Sequence, residues 1–149
     1  MEQPQKETVK QIFAKYLKER SLRQTSVRYD ILDRIYSIEG LFDVEKLYIS
    51  MKKHEHKVSR ATLYNTLDLL VECNLVIKHQ LGKNNISTFE KAHATRFHHY
   101  LVCTVCEKVR EFSDVNIKHA VQAKKIKNFN ISHYSLYVYG TCVKCKKGK

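Results

Sequence analysis

The sequence lacks any long uncharged apolar run. A membrane span needs about 20 consecutive apolar residues, and no segment approaches that length. The first twenty residues mix acidic and basic side chains, so no secretory signal is expected there. We therefore expect no membrane association and a cytoplasmic location, where cysteine thiols stay reduced.

Acidic side chains are also scarce. The 149 residues contain 15 Asp and Glu against 27 Lys and Arg, which gives a formal net charge of +12. Such an excess favours a polyanionic partner, which for a chain without a lipid signal usually means nucleic acid. A merely basic, solvated surface is the alternative. Hydrophobic residues make up 43% of the chain, so it is not a disordered tail.

The two halves of the sequence differ in hydrophobic period. As far as about Asn74, apolar residues recur at helical spacing and predict four helices. Ser26, Asp43 and Ser59 are the predicted N-caps of the second, third and fourth helices. Two short strands then follow, at 75–81 and 86–89, with Gly and Asn between them. Helices followed by a hairpin are typical of a winged helix-turn-helix.

The second half predicts a small α+β domain. Strands are expected at about 98–103 and 108–112, a helix from Asp114 to about Asn128, and a strand at 129–139. The predicted fold class is α+β, with a winged-helix domain at 1–90, a hinge at 91–97 and a dimerisation domain at 98–149. A domain this small needs metal or a partner for stability. An open sheet edge predicts pairing as a homodimer.

Four of the five cysteines form two Cys-x-x-Cys pairs. Cys103 with Cys106 and Cys142 with Cys145 can supply two edges of a tetrahedral site, which predicts structural Zn²⁺. A thioredoxin-like redox pair is the alternative, but no βαβ context accompanies the motif. Cys73 is expected to be an ordinary packed thiol.

Motifs of two zinc enzyme classes are missing. No Pro-Cys-x-x-Cys with an upstream His-x-Glu is present, which excludes a zinc deaminase. The run His54-Glu55-His56 does not match the metalloprotease pattern His-Glu-x-x-His. A site closed by four thiolates also leaves no open coordination position, so we predict that the protein is not an enzyme.

The fourth helix has the character of a DNA recognition helix. Its first turns carry polar side chains that can contact bases or phosphates, and Arg60 can reach guanine edges. An ordinary amphipathic helix is the alternative. The predicted contacts to double-stranded operator DNA, with flanking basic residues included, are Arg23, Thr25, Arg28, Lys57, Ser59, Arg60, Thr62, Tyr64, Asn65 and Lys83.

Three segments together resemble the ferric uptake regulator family. They are the helix start at 59–67, the first Cys-x-x-Cys segment at 101–112 and the second at 136–145. The resemblance spans about residues 22–145 and implies a dimeric winged-helix repressor with structural zinc and a regulatory divalent ion near the hinge. Asn65 after Tyr64 is more similar to the peroxide-sensing branch than to the iron-sensing one.

The regulatory site departs from the family pattern. Glu90, His98 and Glu111 match three of the expected ligands, but the other two positions fall at about Leu41 and at Tyr100. At the family's second site only His99 can bind metal. A rebuilt site for Fe²⁺, Mn²⁺ or Zn²⁺ is one hypothesis, with ligands drawn from Glu90, His93, His98, His99 and Glu111.

Two alternatives to a metal- or peroxide-sensing repressor stay open. One is a family member whose sensor has decayed and which binds DNA without metal control. The other is a zinc-ribbon adaptor that binds protein or RNA. Metal-dependent DNA affinity would separate the first from a working sensor, and a preference for RNA would favour the second.

Overall fold

The computed structural model describes residues 3–80, 86–92, 97–131 and 133–148, with side chains from residue 8 onward. The described residues form two compact units, one of residues 3–80 and 86–92 and the other of residues 97–131 and 133–148. No helix of these residues is long and apolar enough to cross a membrane.

The first unit begins with the four predicted helices, which are α1 (Gln3–Glu19), α2 (Ser26–Ser37), α3 (Val44–Lys53) and α4 (Arg60–Glu72). Asp43 and Ser59 cap α3 and α4 as predicted, each accepting a hydrogen bond from the backbone N–H three residues on. The predicted cap Ser26 is wrong by one residue. Thr25 has the extended backbone of a cap and accepts from the Arg28 N–H, whereas Ser26 is already helical.

The predicted wing hairpin follows α4. Strands β1 (Val76–Gln80) and β2 (Ser87–Lys91) pair antiparallel. Its predicted turn, residues 82–85, lies outside the described residues. Phe89 of β2 also forms a bridge with Phe42, and their rings stack at 5.9 Å, which joins the wing to the segment before α3.

A closed hydrophobic core holds the first unit together. Each helix and both wing strands contribute side chains that are almost completely buried. Their spacing is the helical period seen in the sequence, so burial of one apolar stripe per helix explains the arrangement. The core consists of Val9, Phe13, Leu17, Ile31, Leu32, Ile35, Phe42, Val44, Leu47, Met51, Leu63, Leu67, Leu70, Leu75, Val76 and Phe89.

The second unit contains the elements β3 (Phe97–Cys103), β4 (Val109–Phe112), α5 (Val115–Gln122), β5 (Tyr134–Gly140) and α6 (Val143–Lys147). Its three strands form a sheet with the order β4-β3-β5. Strand β3 lies in the centre, antiparallel to β4 and parallel to β5.

Several predicted boundaries in this unit were wrong. The α5 helix ends at Gln122 rather than near Asn128, because the lysine-rich residues after it offer no apolar stripe to bury. The last strand begins at Tyr134 rather than at 129, because Phe129 donates its backbone N–H to the Ile126 carbonyl in a local turn. The short helix α6, which follows β5, was not predicted. Residue 91 ends β2 and residue 97 begins β3, and the hinge between the two domains stays a prediction.

Candidate metal centre and nucleic-acid interface

Parallel pairing of β3 with β5 brings the two Cys-x-x-Cys turns together. The register places Cys103, the last residue of β3, opposite Gly140, the last residue of β5. Each strand then leads directly into a turn that carries the remaining cysteines. Potential ligand atoms of all four residues, Cys103, Cys106, Cys142 and Cys145, lie within 4.8 Å of one another. Among the described residues, this is the one group of three or more His, Cys, Asp or Glu that could hold a metal ion.

The spacing of the sulfur atoms fits a tetrahedral metal site. Cys106 Sγ and Cys142 Sγ are 3.8 Å apart. A tetrahedron of sulfur ligands at about 2.3 Å from zinc has edges of about 3.8 Å. A disulfide would need a sulfur–sulfur distance of about 2.05 Å, and all four cysteines are free thiols.

Hydrogen bonds at the site shift the pKa values of two cysteines in opposite directions. The backbone N–H groups of Cys106 and Cys142 donate to Cys103 Sγ over 3.5 and 3.4 Å. These bonds lower the pKa of Cys103 to about 6. The pKa of Cys145 is raised to about 12, first by its hydrogen bond with Cys142 and then by that with Cys106. Four thiolates therefore coexist only if a cation supplies the missing positive charge, and metal binding must release protons.

The remaining candidate ligands lie in separate pairs. Glu90 is buried in the first unit, where its Oε1 lies 2.7 Å from His79 Nε2. In the second unit, His98 Nδ1 lies 3.3 Å from Glu111 Oε1. The predicted ligand His93 lies outside the described residues.

The two adjacent histidines of β3 point to opposite faces of its sheet, as successive strand residues do. His98 stacks on Tyr100 with 5.9 Å between ring centroids, on the face that also carries Glu111. His99 Nε2 lies 2.7 Å from the Tyr134 hydroxyl on the other face. One ion held by residues of this sheet therefore takes His98 or His99, not both. Tyr100 is fully buried and stacks on Tyr137, so it fills its position by packing.

The predicted recognition helix has one exposed polar face and one buried face, which consists of Leu63, Thr66, Leu67 and Leu70. Ser59 Oγ accepts a hydrogen bond from the Thr62 N–H at 3.1 Å, so its side chain is used as a cap. Tyr64 is 52% exposed and Asn65 is also exposed. Leu63 and Leu67 are buried in the core behind them. An exposed pair one turn into the helix is where base contacts are made in helix-turn-helix proteins.

Arg60 is held by α3. Its Nε donates to Glu45 Oε1 at 2.6 Å and its Nη2 donates to Glu45 Oε2 at 3.1 Å. The guanidinium carbon also lies 4.1 Å from the centroid of the Tyr48 ring. The hydrogen bond from Arg60 lowers the pKa of Glu45, so the pair is ionised at neutral pH.

The other predicted DNA contacts surround this helix or the start of α2. Lys57 is exposed in the loop before α4, and Arg23 is exposed before α2. Thr25 caps α2, and the Arg28 guanidinium donates to the backbone carbonyl of Arg23, so both also have local structural roles. Lys83 lies outside the described residues.

The chain is similar to a known protein family and to individual proteins of known type. The model of the family described as "Ferric uptake regulator family" matches residues 19–139. The chain belongs to this family. A ferric uptake regulation protein of Campylobacter upsaliensis is 31% identical over 140 residues, which cover 89% of this chain and 86% of the relative. The peroxide operon regulator of Bacillus subtilis is 29% identical over 132 residues, or 88% and 89% of the two chains.

Solved structures of ferric uptake regulators share the fold. That of Vibrio cholerae is similar with a TM-score of 0.64 and 31% identity, covering 85% of this chain and 96% of the other. That of Helicobacter pylori has a TM-score of 0.70 at 21% identity, covering 95% and 93%. The predicted α+β class, with a winged helix and a four-cysteine cluster, is thereby confirmed for this member of the ferric uptake regulator family.

Sequence reasoning missed three residues at these sites. Glu45 and Tyr48 lie on α3 and become relevant only because α3 packs beside the start of α4. His79 occupies the wing strand and contacts Glu90 across the hairpin. The strand pattern carried a signal for His79, since a histidine at a buried position of an alternating strand requires a polar partner. No comparable local signal marked Glu45 or Tyr48.

Proposed function

We propose that this member of the ferric uptake regulator family is a homodimeric transcriptional repressor that reads double-stranded operator DNA with α4. The observation that carries this proposal is the exposed pair Tyr64 and Asn65, mounted on a helix whose other face is locked into a core. A recognition helix needs both a polar outer face and a rigid support. The predicted division into DNA-binding domain, hinge and dimerisation domain, at 1–90, 91–97 and 98–149, is part of this proposal.

Basic residues supply attraction that does not depend on sequence. The net charge of +12 favours DNA through release of counterions from phosphates. Arg23, Arg28 and Lys57 flank the recognition helix or the start of α2, and Lys83 belongs to the predicted wing turn. We assign phosphate contacts to these four residues, which would position α4 without reading bases.

Zn²⁺ is the ion we propose for the four cysteines. Four thiolates suit zinc, and a sulfur–sulfur edge of 3.8 Å matches its tetrahedral geometry. Bound there, zinc would join the ends of β3 and β5 and supply folding free energy to the second unit. A site closed by four thiolates offers no position for a substrate, so we assign it no catalytic role.

A second copy of the chain is the partner we propose for β5. This strand is an edge of its sheet, and none of its residues is buried. Val138 and Tyr139 expose 42% and 60% of their surface. An apolar edge strand invites pairing with another strand, and two-fold pairing with itself closes the assembly.

The described candidate ligands for a regulatory ion already have side-chain partners. Glu90, His98 and His99 each already contact a side chain of their own unit, namely His79, Glu111 and Tyr134. These contacts favour a repressor that binds DNA with structural zinc alone. The competing proposal, a second Fe²⁺, Mn²⁺ or Zn²⁺ bound by a set drawn from Glu90, His93, His98, His99 and Glu111, predicts that the added ion raises DNA affinity.

Selection from random DNA followed by binding anisotropy tests the function. The zinc-loaded full chain is used to enrich a pool of duplexes with a random central segment, and the enriched duplex is compared with a scrambled duplex at fixed salt. We expect sequence-specific binding that Asn65→Ala weakens. Asp68→Ala, an exposed change one turn further along the helix, serves as the control. Failure to enrich any duplex, or tighter binding to RNA of the same sequence, would contradict the proposal.

Binding anisotropy with added metal ions decides between DNA binding with structural zinc alone and control by a second ion. Each ion is added to the zinc-loaded protein at constant ionic strength, because a basic protein loses DNA affinity steeply as salt rises. Unchanged affinity supports control without metal. A gain in affinity that is lost in His98→Ala and in Glu111→Gln supports the rebuilt site.

A further inference from the structure

Arg60, the first residue of α4, donates to α3 through only part of its guanidinium. A guanidinium has five N–H donors in a fixed planar fork. Glu45 accepts from Nε and from Nη2, which uses one side of that fork. One Nη2 hydrogen and both Nη1 hydrogens are not used by Glu45. That Nη2 hydrogen and one of the Nη1 hydrogens point the same way and form the outer edge of the fork, and the side chain is 53% exposed.

That outer edge matches the acceptors of one base. Guanine presents O6 and N7 side by side in the major groove, and an arginine binds them with two parallel hydrogen bonds. The inner edge is already occupied by a carboxylate, so only the outer edge can take the base. The carboxylate therefore restricts the guanidinium to one bidentate mode.

Tyr48 fixes the plane of the same group. The guanidinium carbon lies 4.1 Å from the centroid of the Tyr48 ring, which is within the range of a cation–π contact. A ring face against the guanidinium and a carboxylate against its edge restrain it in two directions. Both restraints come from α3, so they are in place before DNA binds. Rotamer freedom that is lost in advance does not oppose binding.

We propose that Glu45 and Tyr48 are positioning residues for base reading, which hold Arg60 so that its outer Nη1 and Nη2 edge reads one guanine of the operator. This inference rests on the proposed DNA-binding function. It adds a third base-reading position to Tyr64 and Asn65 and assigns the residues that orient it. The opposite role, in which Glu45 competes with DNA for Arg60, predicts a different outcome of the same experiment.

The first step locates the guanine. The duplex enriched by the wild-type chain is resynthesised with 7-deazaguanine at each guanine in turn, which removes one N7 acceptor. We expect one position at which wild-type affinity falls and at which Arg60→Ala shows no further fall. The guanine-to-adenine ratio of affinities at that position should lie in the range of about 5- to 150-fold for a bidentate contact. Equal sensitivity of wild type and Arg60→Ala at every guanine would overturn the proposal.

The second step tests the two positioning residues. Glu45→Gln and Tyr48→Leu should each lower the guanine-to-adenine ratio at that position by at least about fivefold, the lower end of the range for such a contact. Tyr48→Phe, which keeps the aromatic face, should preserve it. Affinity of Glu45→Gln for the scrambled duplex should stay the same or rise, because one negative charge near the phosphates is removed.

Asp33→Asn is the matched control. It removes a partly exposed carboxylate whose Oδ2 lies 2.8 Å from Lys10 Nζ. The guanine-to-adenine ratio of affinities of Asp33→Asn should therefore equal that of wild type. Thermal melting of each variant shows that the first unit stays folded. If Glu45→Gln raises affinity for the enriched and scrambled duplexes equally, or leaves the ratio unchanged, Glu45 does not position Arg60. If the wild-type chain enriches no duplex, it is the proposed function that fails.

Discussion

The two units of this chain are stabilised in different ways, although both contain helices and strands of ordinary length. In the first, every helix and both wing strands bury apolar side chains in one shared core. In the second, the buried residues among those described are His98, His99, Tyr100, Val102 and Cys103, all on the central strand β3. Neither α5 nor β5 buries any residue.

This difference in burial indicates where each unit obtains its folding free energy. A unit with a closed core can be stable through the burial of its own apolar surface. A unit that buries one strand must obtain free energy from elsewhere, and the cysteine cluster and the apolar edge strand β5 are the two sources that this structure offers. The exposed apolar residues of the second unit include Val105, Val115, Ile126, Phe129, Val138, Tyr139 and Val143.

Metal removal should affect the two units most differently. Because a structural zinc of four thiolates contributes on the order of 10 kcal/mol to folding, chelation should unfold the second unit and leave the first folded. Hydrogen exchange of the full chain measures both units at once. Cys106→Ser should reproduce the effect, and Cys73→Ser, which changes a half-buried thiol hydrogen-bonded to the Leu70 carbonyl, should not alter metal content. Unchanged protection of β3 after chelation would refute a structural role for the metal.

Truncating apolar side chains should show where the core is. Leu67 is completely buried, so Leu67→Ala should lower the free energy of unfolding of the first unit by about 2–5 kcal/mol. Val105 is 61% exposed, so Val105→Ala should change stability by no more than about 0.5 kcal/mol. Denaturant unfolding of the zinc-loaded protein gives both values. Similar losses from the two variants would mean that the second unit also has a core of its own.

Charge on the edge strand should weaken dimerisation. A two-fold interface contains each substitution twice, so Val138→Lys would place two lysines in an interface formed by β5 and should raise the dissociation constant of the dimer at least about tenfold, or about 1.4 kcal/mol. Ile49→Lys, an exposed position on α3, is the control. Sedimentation velocity over a range of protein concentrations reports the constant. If the Val138→Lys dimer has the same dissociation constant as the wild-type dimer, the interface lies elsewhere.

Helix caps should contribute similar amounts of stability in the two units, in contrast to apolar side chains. Asp43 Oδ1 accepts from the Lys46 N–H at 2.7 Å, and Asp114 Oδ1 accepts from the Ile117 N–H at 3.0 Å. Asp43→Ala and Asp114→Ala should each cost about 1 kcal/mol, and asparagine at either position should retain most of that. Thermal unfolding of the zinc-loaded dimer is the measurement. A much larger loss at one cap would show that its aspartate does more than satisfy a helix end.

Local patterns in the sequence were enough for much of the fold. The helical period placed Ile31, Leu32 and Ile35 in the core, and the changed period after Asn74 gave the wing. The end of α5 was not predictable in this way, because a run of lysines carries no positive signal for a helix stop. The start of β5 was missed because Phe129 is apolar like a strand residue but pairs with Ile126 in a turn.

The candidate sites were also predictable only where residues close together in the chain define them. The two Cys-x-x-Cys pairs predicted a four-cysteine cluster because the spacing within each pair is local and the chemistry of thiolates is specific. The candidate regulatory ligands could be named from the sequence but not assembled. Whether His98 joins Glu111, and whether Glu90 is already engaged with His79, depends on strand pairing and burial.

By itself the sequence determined the α+β class, the capped start of α4, the excess of positive charge and the two Cys-x-x-Cys pairs. Each of these follows from residue types at short, fixed spacing or from composition. The tertiary structure alone decided that β3 and β5 pair in parallel, that α5 and β5 bury nothing, and that Glu45 and Tyr48 hold Arg60. These are contacts between segments distant in the chain, which depend on how whole elements pack and which no local period encodes.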